Sequence, residues 1–142
     1  SKDIFNSYSK FHKLMGSSGS GQLTKMVNQI CIAGLIQALA EGMNFSEKAG
    51  LNTSDVMEVI TKGAAQSWQM ENRWKTMLAD EYDHGFAVDL MRKDLNIASE
   101  EAIKIGADIE ITNLVNRFYK DVQDLGGNRL DTSSLLRRLK EK

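Results

Sequence analysis

The sequence contains no proline among its 142 residues, so the residue that most often breaks a helix is absent. It has a single cysteine, Cys31, which excludes an internal disulfide and a metal centre built from several cysteines. Its two histidines, His12 and His84, lie far apart and lack metal-ligand spacing with other candidates, so we predict no metal site. Cys31 lies in an apolar run, where a small buried hydrophobic side chain is the expected role.

The sequence also lacks an excess of charge of either sign. The 18 basic and 19 acidic residues give a formal net charge of −1, so no global field would attract nucleic acid or anionic lipid. Residues 1–15 are polar and do not resemble a signal peptide. The longest apolar run, residues 30–39, is short and interrupted by Gln37, which argues against a membrane span. We therefore expect a cytoplasmic protein that binds neither nucleic acid nor membrane.

Glycines and capping residues divide the chain into predicted helices. Apolar residues between 21 and 50 cover most of a helix circumference, which predicts one long helix buried on many sides. Capping residues at 52–55 predict a second helix that ends at Gly63. Further helices are predicted over about residues 67–79, 86–106, 113–125 and 135–140. The expected fold is all-α from residue 21 onward, whereas residues 10–15 resemble a short strand.

A glycine-rich segment, residues 16–21, precedes the long helix and is predicted to be a loop, with Ser18 or Ser20 as the helix cap. Lys25 follows near the positive end of the helix dipole, which disfavours its charged form. Lys25, Asn28 and Gln29 share one helix face and could form an acid/base site for a small polar substrate. Spacing alone favours the alternative of a surface lysine between solvated amides.

The helix predicted from residue 86 carries a second group of candidates. Phe86, Asp89, Leu90 and Lys93 form one stripe, and Asp94 lies beside it. The alternative is an Asp89–Lys93 ion pair of purely structural importance, which spacing alone cannot reject.

Two tryptophans belong to the helix predicted over about residues 67–79. Trp68, Trp74 and Leu78 are its expected apolar contacts. Tryptophans are most often core or interface residues, and a pocket wall is the less frequent role.

These motifs together resemble the β-hydroxyacid dehydrogenase family. The pattern Gly-x-x-Gly-x-Gly-Gln-x-x-Lys-Met-x-Asn-Gln covers residues 16–29, and Phe-x-x-x-Leu-x-x-Lys-Asp-Leu covers residues 86–95. Ala-Gly-Leu-Asn at 49–52 and Asp-Thr-Ser at 131–133 extend the resemblance over nearly the whole chain. The family includes 3-hydroxyisobutyrate dehydrogenase and tartronate semialdehyde reductase, with 6-phosphogluconate dehydrogenase as a larger relative.

The resemblance implies which part of such an enzyme this chain represents. Family members have an N-terminal Rossmann domain followed by an all-helical domain, and the Gly-x-Gly-x-x-Gly coenzyme fingerprint is absent here. Residues 16–142 are therefore expected to be the C-terminal helical domain, similar to that of 6-phosphogluconate dehydrogenase and built around a long buried helix. Residues 1–15 would be a remnant of the end of the Rossmann domain, with residues 10–15 its last strand.

The resemblance also assigns roles to individual residues. It implies that Lys25 is the catalytic general acid/base, which protonates the carbonyl oxygen in reduction and accepts the hydroxyl proton in oxidation. The family commonly places an asparagine four residues after this lysine to hold the substrate. Gln29 occupies that position here and Asn28 precedes it, so either amide is a candidate for substrate binding.

On the later helices, the resemblance implies that Lys93 contacts the nicotinamide cofactor and that Asp94 lies at the substrate site. Phe86 and Trp68 would be walls of the substrate pocket.

The expected function is therefore an NAD- or NADP-dependent oxidoreductase of short β-hydroxyacids or semialdehydes. This chain would contribute the acid/base and substrate half, would be inactive without the cofactor domain, and would form a homodimer or a larger homo-oligomer. The alternative is a non-catalytic helical dimerisation or interaction module.

Overall fold

The computed structural model describes residues 18–142, which form six α-helices and one 3-10 turn and contain no strand. The predictions for residues 1–15 lie outside the described residues. The predicted all-α fold is confirmed. The elements in chain order are α1 (Ser18–Lys48), α2 (Thr53–Ile60), α3 (Trp68–Leu78), α4 (Val88–Ile105), α5 (Glu110–Asp124), the 3-10 turn (Thr132–Ser134) and α6 (Leu135–Lys140).

Helix α1 is the centre of the fold, since all five other helices and the 3-10 turn pack against it. Its inward side carries Ala33, Ile36, Ala40 and Met43, which are fully buried and recur at the three- and four-residue spacing of one helix face. The other helices complete the core with buried side chains that include Met57, Trp74, Met77, Leu95, Tyr119 and Leu136.

The outward side of α1 differs from the prediction of a helix buried on many sides. Leu23, Val27, Leu35 and Phe45 are 43%, 60%, 44% and 73% exposed. Cys31 is exposed as well, so the expectation that it is a small buried side chain is wrong. Residues 19–48 are apolar and long enough to cross a membrane by length and composition, contrary to the interpretation of residues 30–39 above. The central helix of a water-soluble domain passes the same test, and α1 packs against every other described helix.

The capping prediction for residues 52–55 is confirmed, and Ser67 and Gly106 cap two further helix ends. The Asn52 side chain accepts a hydrogen bond from the Asp55 backbone N–H at 3.1 Å, and the Ser67 hydroxyl accepts one from the Met70 N–H at 3.0 Å. Gly106 ends α4 with a left-handed φ of 73°, which glycine adopts without steric cost.

Three predicted boundaries are wrong. Helix α2 ends at Ile60, three residues before the predicted end at Gly63. Helix α1 begins at Ser18, so residues 18–21 form its first turn rather than a loop. Glycine lowers helix propensity but does not forbid a helix, and here the packing of the rest of α1 outweighs the cost. Helix α5 begins at Glu110, three residues before the predicted start, and its N-cap residue Ile109 has no capping side chain that the sequence could have revealed.

A buried carboxylate connects the C-terminal segment to α3 and to the start of α4. Asp131 accepts hydrogen bonds from the Phe86 N–H at 2.9 Å, the Ser133 N–H at 3.1 Å and the Ser133 hydroxyl. The guanidinium of Arg73 on α3 lies 3.2 Å from the same carboxylate. These contacts fix where α4 begins and therefore which of its side chains face α1.

Candidate active site

Helices α1 and α4 pack together so that residues distant in sequence meet at one site. Gln29 and Asp94 are 65 positions apart, and the Gln29 side-chain N–H donates a hydrogen bond of 2.9 Å to the Asp94 carboxylate. The Lys25 ammonium lies 3.6 Å from the other oxygen of the same carboxylate. Asn28 donates a hydrogen bond of 3.0 Å to the Gln29 side-chain carbonyl. Four of the predicted site residues therefore form one connected polar group.

The two amides differ in how much of their hydrogen-bonding capacity is already used. Gln29 is 5% exposed and uses both ends of its amide, the N–H toward Asp94 and the carbonyl toward Asn28. Asn28 is half-buried and uses one N–H of its amide in this group. An amide carries two donors and a carbonyl acceptor, so Asn28 retains groups that could bind a ligand.

The lysine is the most accessible member of the group. Its side chain is 44% exposed, whereas the Asp94 side chain is 15% exposed. An ammonium has three N–H donors, and the carboxylate on one side leaves the solvent side of Lys25 available. The lysine is held in place from the protein side and open to an approaching molecule.

A small hollow of about 10 Å³ adjoins these side chains. Its lining consists of Gln22, Lys25, Met26, Gln29, Asp94 and Ile97. This volume has room for about one water molecule and is too small for a hydroxyacid. The surface therefore provides one wall of polar groups, and a site that encloses a hydroxyacid would need a second wall.

Lys93 and Asp89 do not form the ion pair that was the structural alternative for the start of α4. The Asp89 carboxylate instead accepts hydrogen bonds from the Gln123 side chain at 2.8 Å and from the Asn128 side chain at 3.3 Å. Lys93 is exposed and makes no ion pair with any residue in the described range 18–142. It lies next to Asp94 in sequence but does not line the hollow.

The aromatic candidates are placed apart from the polar group. Phe86 is half-buried against the core, and its backbone is fixed by Asp131. Trp68 begins α3, is 51% exposed and carries the Arg73 guanidinium 5.1 Å from its ring centre. Neither ring lines the hollow. The prediction that Trp68 is an apolar contact of the core is wrong, whereas Trp74 is buried as expected.

Sequence reasoning missed three lining residues, namely Gln22, Met26 and Ile97. Gln22, Met26 and Gln29 follow one another at spacings of four and three, so a helix face drawn through Gln29 could have included them. Ile97 lies three positions after Asp94 on α4 and could have been found in the same way. Within residues 18–142, no group of three or more His, Cys, Asp or Glu side chains is arranged to hold a metal ion.

The fold and the site together match a known class of domain. The domain is all-helical, and its central helix places a lysine and two amides beside a carboxylate of a neighbouring helix. The family model described as NAD-binding of NADP-dependent 3-hydroxyisobutyrate dehydrogenase matches residues 19–139. The chain belongs to this family. The description agrees with the predicted NAD or NADP cofactor.

Individual relatives support the same conclusion. The chain is 58% identical over 140 residues to an uncharacterised oxidoreductase of Shewanella frigidimarina, covering 99% of the chain and 48% of that protein. It is 31% identical over 138 residues to 2-hydroxy-3-oxopropionate reductase of Escherichia coli, covering 97% of the chain and 47% of that protein.

A solved structure agrees with the fold. The structure of Mycobacterium tuberculosis 3-hydroxyisobutyrate dehydrogenase with L-serine superimposes with a TM-score of 0.79 at 26% sequence identity. The match covers 87% of this chain and 45% of that one. The chain thus spans about half the length of the relatives that it matches.

Proposed function

We propose that this chain is the substrate and acid/base domain of an NAD- or NADP-dependent oxidoreductase that acts on short β-hydroxyacids or their semialdehydes. The observation that carries the proposal is the position of Lys25, whose ammonium is held 3.6 Å from Asp94 and is open to solvent on its other side. Membership of the 3-hydroxyisobutyrate dehydrogenase family supports the reaction class.

Lys25 is the proton-transfer group in this proposal. A bound nicotinamide dinucleotide would donate or accept the hydride. During reduction of a carbonyl, the Lys25 ammonium gives a proton to the oxygen that becomes the hydroxyl, and in oxidation the neutral amine removes that proton. Asn28 would bind the substrate, because it retains hydrogen-bonding groups while both ends of the Gln29 amide are engaged.

Asp94 is better assigned to positioning Lys25 than to holding the substrate directly. Its two oxygens are directed to Gln29 and Lys25, and a carboxylate would repel the carboxylate of a hydroxyacid. Gln29 in turn holds the Asp94 carboxylate in place. Two hydrogen bonds and one ion pair therefore connect Asn28 to Gln29, Gln29 to Asp94, and Asp94 to Lys25.

Lys93 is the residue of this chain that best fits contact with the cofactor. It is a cation at the surface of α4, next to Asp94, and it has no ion-pair partner among residues 18–142. A cation without a carboxylate partner suits the negative charge of a dinucleotide. The rest of the coenzyme site would lie in the half of the relatives that this chain does not span, so the chain alone would be inactive.

Several finer points of the proposal rest on the resemblance. Phe86 and Trp68 would form part of the substrate pocket once a second wall is present, and a Rossmann domain would supply that wall. The protein would act in the cytoplasm as a homodimer or larger homo-oligomer.

The test is the Lys25→Ala variant of the full-length protein. We expect kcat/KM to fall by about 10² to 10⁴, the usual contribution of a positioned general acid. The dissociation constant for NAD(P) should stay within about twofold, because Lys25 is assigned to proton transfer and not to coenzyme binding. Lys120→Ala is the matched control, because Lys120 is also an exposed lysine paired with one carboxylate, Asp124.

Turnover within about tenfold of wild type in Lys25→Ala would contradict the acid/base assignment. Absence of turnover in the wild-type full-length protein would instead favour the alternative of a non-catalytic helical interaction module.

A further inference from the structure

A second and larger hollow lies between the end of α5 and helix α6, and we call it the α5–α6 hollow. Its volume is about 130 Å³. A protein cavity of about 150 Å³ holds a molecule of the size of benzene, so this hollow has room for a ligand of about six or seven non-hydrogen atoms. Neither Lys25 nor any other member of the polar group around Asp94 lines it.

The lining of the α5–α6 hollow combines two kinds of residue. The apolar lining, at the end of α5 and in the loop after it, includes Val122, Leu125 and Leu130. The polar lining runs along α6 and consists of Ser134, Arg137, Arg138 and Glu141. A concave site with apolar residues and a few convergent polar groups is typical of the sites that bind small molecules.

Ser134 carries a hydroxyl that the fold does not use. The residue is fully buried, and its hydroxyl has no hydrogen-bond partner among residues 18–142. The neighbouring Ser133 hydroxyl, by contrast, donates to the Asp131 carboxylate. Buried hydroxyls are nearly always hydrogen-bonded, and one without a partner lowers stability relative to alanine. Because alanine would suit folding alone, the Ser134 hydroxyl indicates a ligand group in the hollow that this residue lines.

The two arginines add donors that the protein leaves unused. Arg138 is 8% exposed, its Nε donates a hydrogen bond of 2.8 Å to Asp121, and its terminal nitrogens make no hydrogen bond within residues 18–142. Arg137 keeps its Nη1 after its Nε and Nη2 have bonded to Asp80. Glu141 is the one carboxylate among the described residues that line the hollow. Unused donors therefore outnumber acceptors, and a ligand rich in acceptors fits the polar lining.

We propose that the α5–α6 hollow binds a small monocarboxylate with an apolar tail, an aliphatic acid of about four or five carbons. The carboxylate accepts hydrogen bonds from the Ser134 hydroxyl and the Arg138 guanidinium, and the tail packs against Val122 and Leu130. A phosphate or a dicarboxylate fits less well, because a second negative charge would face Glu141 and the apolar lining.

The α5–α6 hollow lies far from the candidate active site. Lys140, which lies between Arg138 and Glu141 on α6, forms an ion pair of 3.3 Å with Glu47 near the end of α1. Lys25 lies 22 positions before Glu47, which is about 33 Å along the helix axis. A carboxylate in the α5–α6 hollow would therefore not occupy the site around Lys25, and the proposal does not depend on the acid/base role of this lysine.

Titration of the full-length protein with sodium isovalerate, followed by two-dimensional amide NMR, tests the site. Isovalerate is a branched acid of the required size. We expect saturable shifts of the Gly126 and Gly127 amide resonances, which report on the lining, with a dissociation constant of about 0.1–10 mM for so small a ligand. The same shifts should occur in Lys25→Ala. Isovaleramide, which has the same shape without the charge, should bind at least about tenfold more weakly.

Ser134→Ala separates a ligand-binding role from a structural one. The variant should weaken isovalerate binding about three- to tenfold, because the carboxylate loses one donor. Its melting temperature without isovalerate should equal that of the wild type or exceed it by a few degrees, since the free protein loses no hydrogen bond of this hydroxyl.

Leu125→Trp fills the hollow and leaves its polar lining unchanged. Leu125 is 52% exposed, so the fold tolerates a larger side chain there, and isovalerate binding should weaken at least about tenfold. Leu114→Trp is the matched control on the same helix. Leu114 is 41% exposed and lies outside the lining, so this variant should bind isovalerate within about twofold of wild type.

Four results would overturn the proposal. The first is no saturable shift at Gly126 and Gly127 up to about 100 mM isovalerate, which would mean that the hollow holds only water. The second is equal binding of isovalerate and isovaleramide, and the third is a Ser134→Ala variant that loses stability but binds as wild type does. The fourth is a set of shifts confined to residues around Lys25. Turnover of Lys25→Ala is a separate readout, so failure of this proposal is distinguishable from failure of the proposed function.

Discussion

Two carboxylates of this protein, Asp131 and Asp94, each lie beside a cation, yet their surroundings differ. Asp131 is 1% exposed and receives donors from the Phe86 backbone, from Ser133 and from Arg73. Asp94 has a 15% exposed side chain and contacts Gln29 and the half-open Lys25. A carboxylate saturated by protein donors is suited to holding segments together. One that shares a cation with solvent leaves that cation available for chemistry.

The largest effect is expected at the saturated carboxylate. Asp131→Ala would leave the Arg73 guanidinium and the Phe86 N–H without their buried partner, so the free energy of unfolding should fall by about 3–5 kcal/mol. Urea unfolding monitored by circular dichroism measures it. Asp124→Ala removes an exposed ion pair with Lys120 and should cost about 0–1 kcal/mol. Equal losses in the two variants would show that Asp131 is not the structural centre that its contacts indicate.

The second-largest effect is expected at Gly85, which packs against the Asp131 carboxylate. In Gly85→Ala, the new Cβ would lie 2.1 Å from a carboxylate oxygen of Asp131, at a residue with φ of 74°. We expect a loss of about 2–4 kcal/mol, because the Asp131 contacts must shift and the left-handed backbone is strained.

Gly106→Ala is the matched control for that change. Its φ is 73°, but its Cβ would meet nothing within 4 Å. It should lose only the backbone cost of about 1–2 kcal/mol. If the two glycine variants lost the same stability, the contact with Asp131 would carry no energy of its own.

A smaller effect concerns Tyr119, whose hydroxyl donates to the Thr132 backbone carbonyl at 3.1 Å beside Asp131. Burial, followed by the negative charge of Asp131, raises the pKa of Tyr119 well above its usual value. The folded state therefore keeps the proton after the unfolded chain has begun to lose it near pH 10. The contribution of Tyr119 to the free energy of unfolding is fully present below about pH 10. Above this pH the contribution falls by about 1.4 kcal/mol per pH unit.

Tyr119→Phe tests this linkage. At pH 8 the variant should be about 1 kcal/mol less stable than wild type, because it lacks one buried hydrogen bond. The difference should shrink and then reverse above pH 10, since only the wild type can lose stability through this hydroxyl. The test is to measure the free energies of unfolding of both proteins across that pH range. A difference that stays constant with pH would contradict the raised pKa of Tyr119.

The smallest change in stability is expected at Asp94, the carboxylate that contacts the partly exposed Lys25. Asp94→Asn should change the free energy of unfolding by about 0–1 kcal/mol, since its ion pair with Lys25 is partly exposed. In the full-length protein the same variant should lower kcat by at least about tenfold while leaving coenzyme affinity unchanged, because Lys25 loses its support. A large loss of stability with normal turnover would place Asp94 in the same role as Asp131.

Local signals in the sequence predicted much of the fold. The capping residues at 52–55 identified the start of α2 and Gly106 identified the end of α4, because caps act within one turn of the chain. The start of α5 was missed because Ile109 gives no capping signal, and the first turn of α1 was missed because its glycines favour loops in isolation.

For the site, Lys25, Asn28 and Gln29 could be grouped from helix spacing, and the family resemblance brought Asp94 into consideration. Neither could show that Gln29 uses both ends of its amide or that Asp89 turns to Gln123 and Asn128 rather than to Lys93.

The sequence by itself determined the helical class, most of the helix limits and the family, because periodicity, caps and motifs are local properties of the chain. The tertiary structure decided which face of each helix is covered. It set α4 against α1 so that Asp94 holds Lys25, gave Asp131 its donors from distant segments, and left the outward side of α1 exposed. These outcomes depend on how whole helices pack, and no short stretch of sequence contains that information.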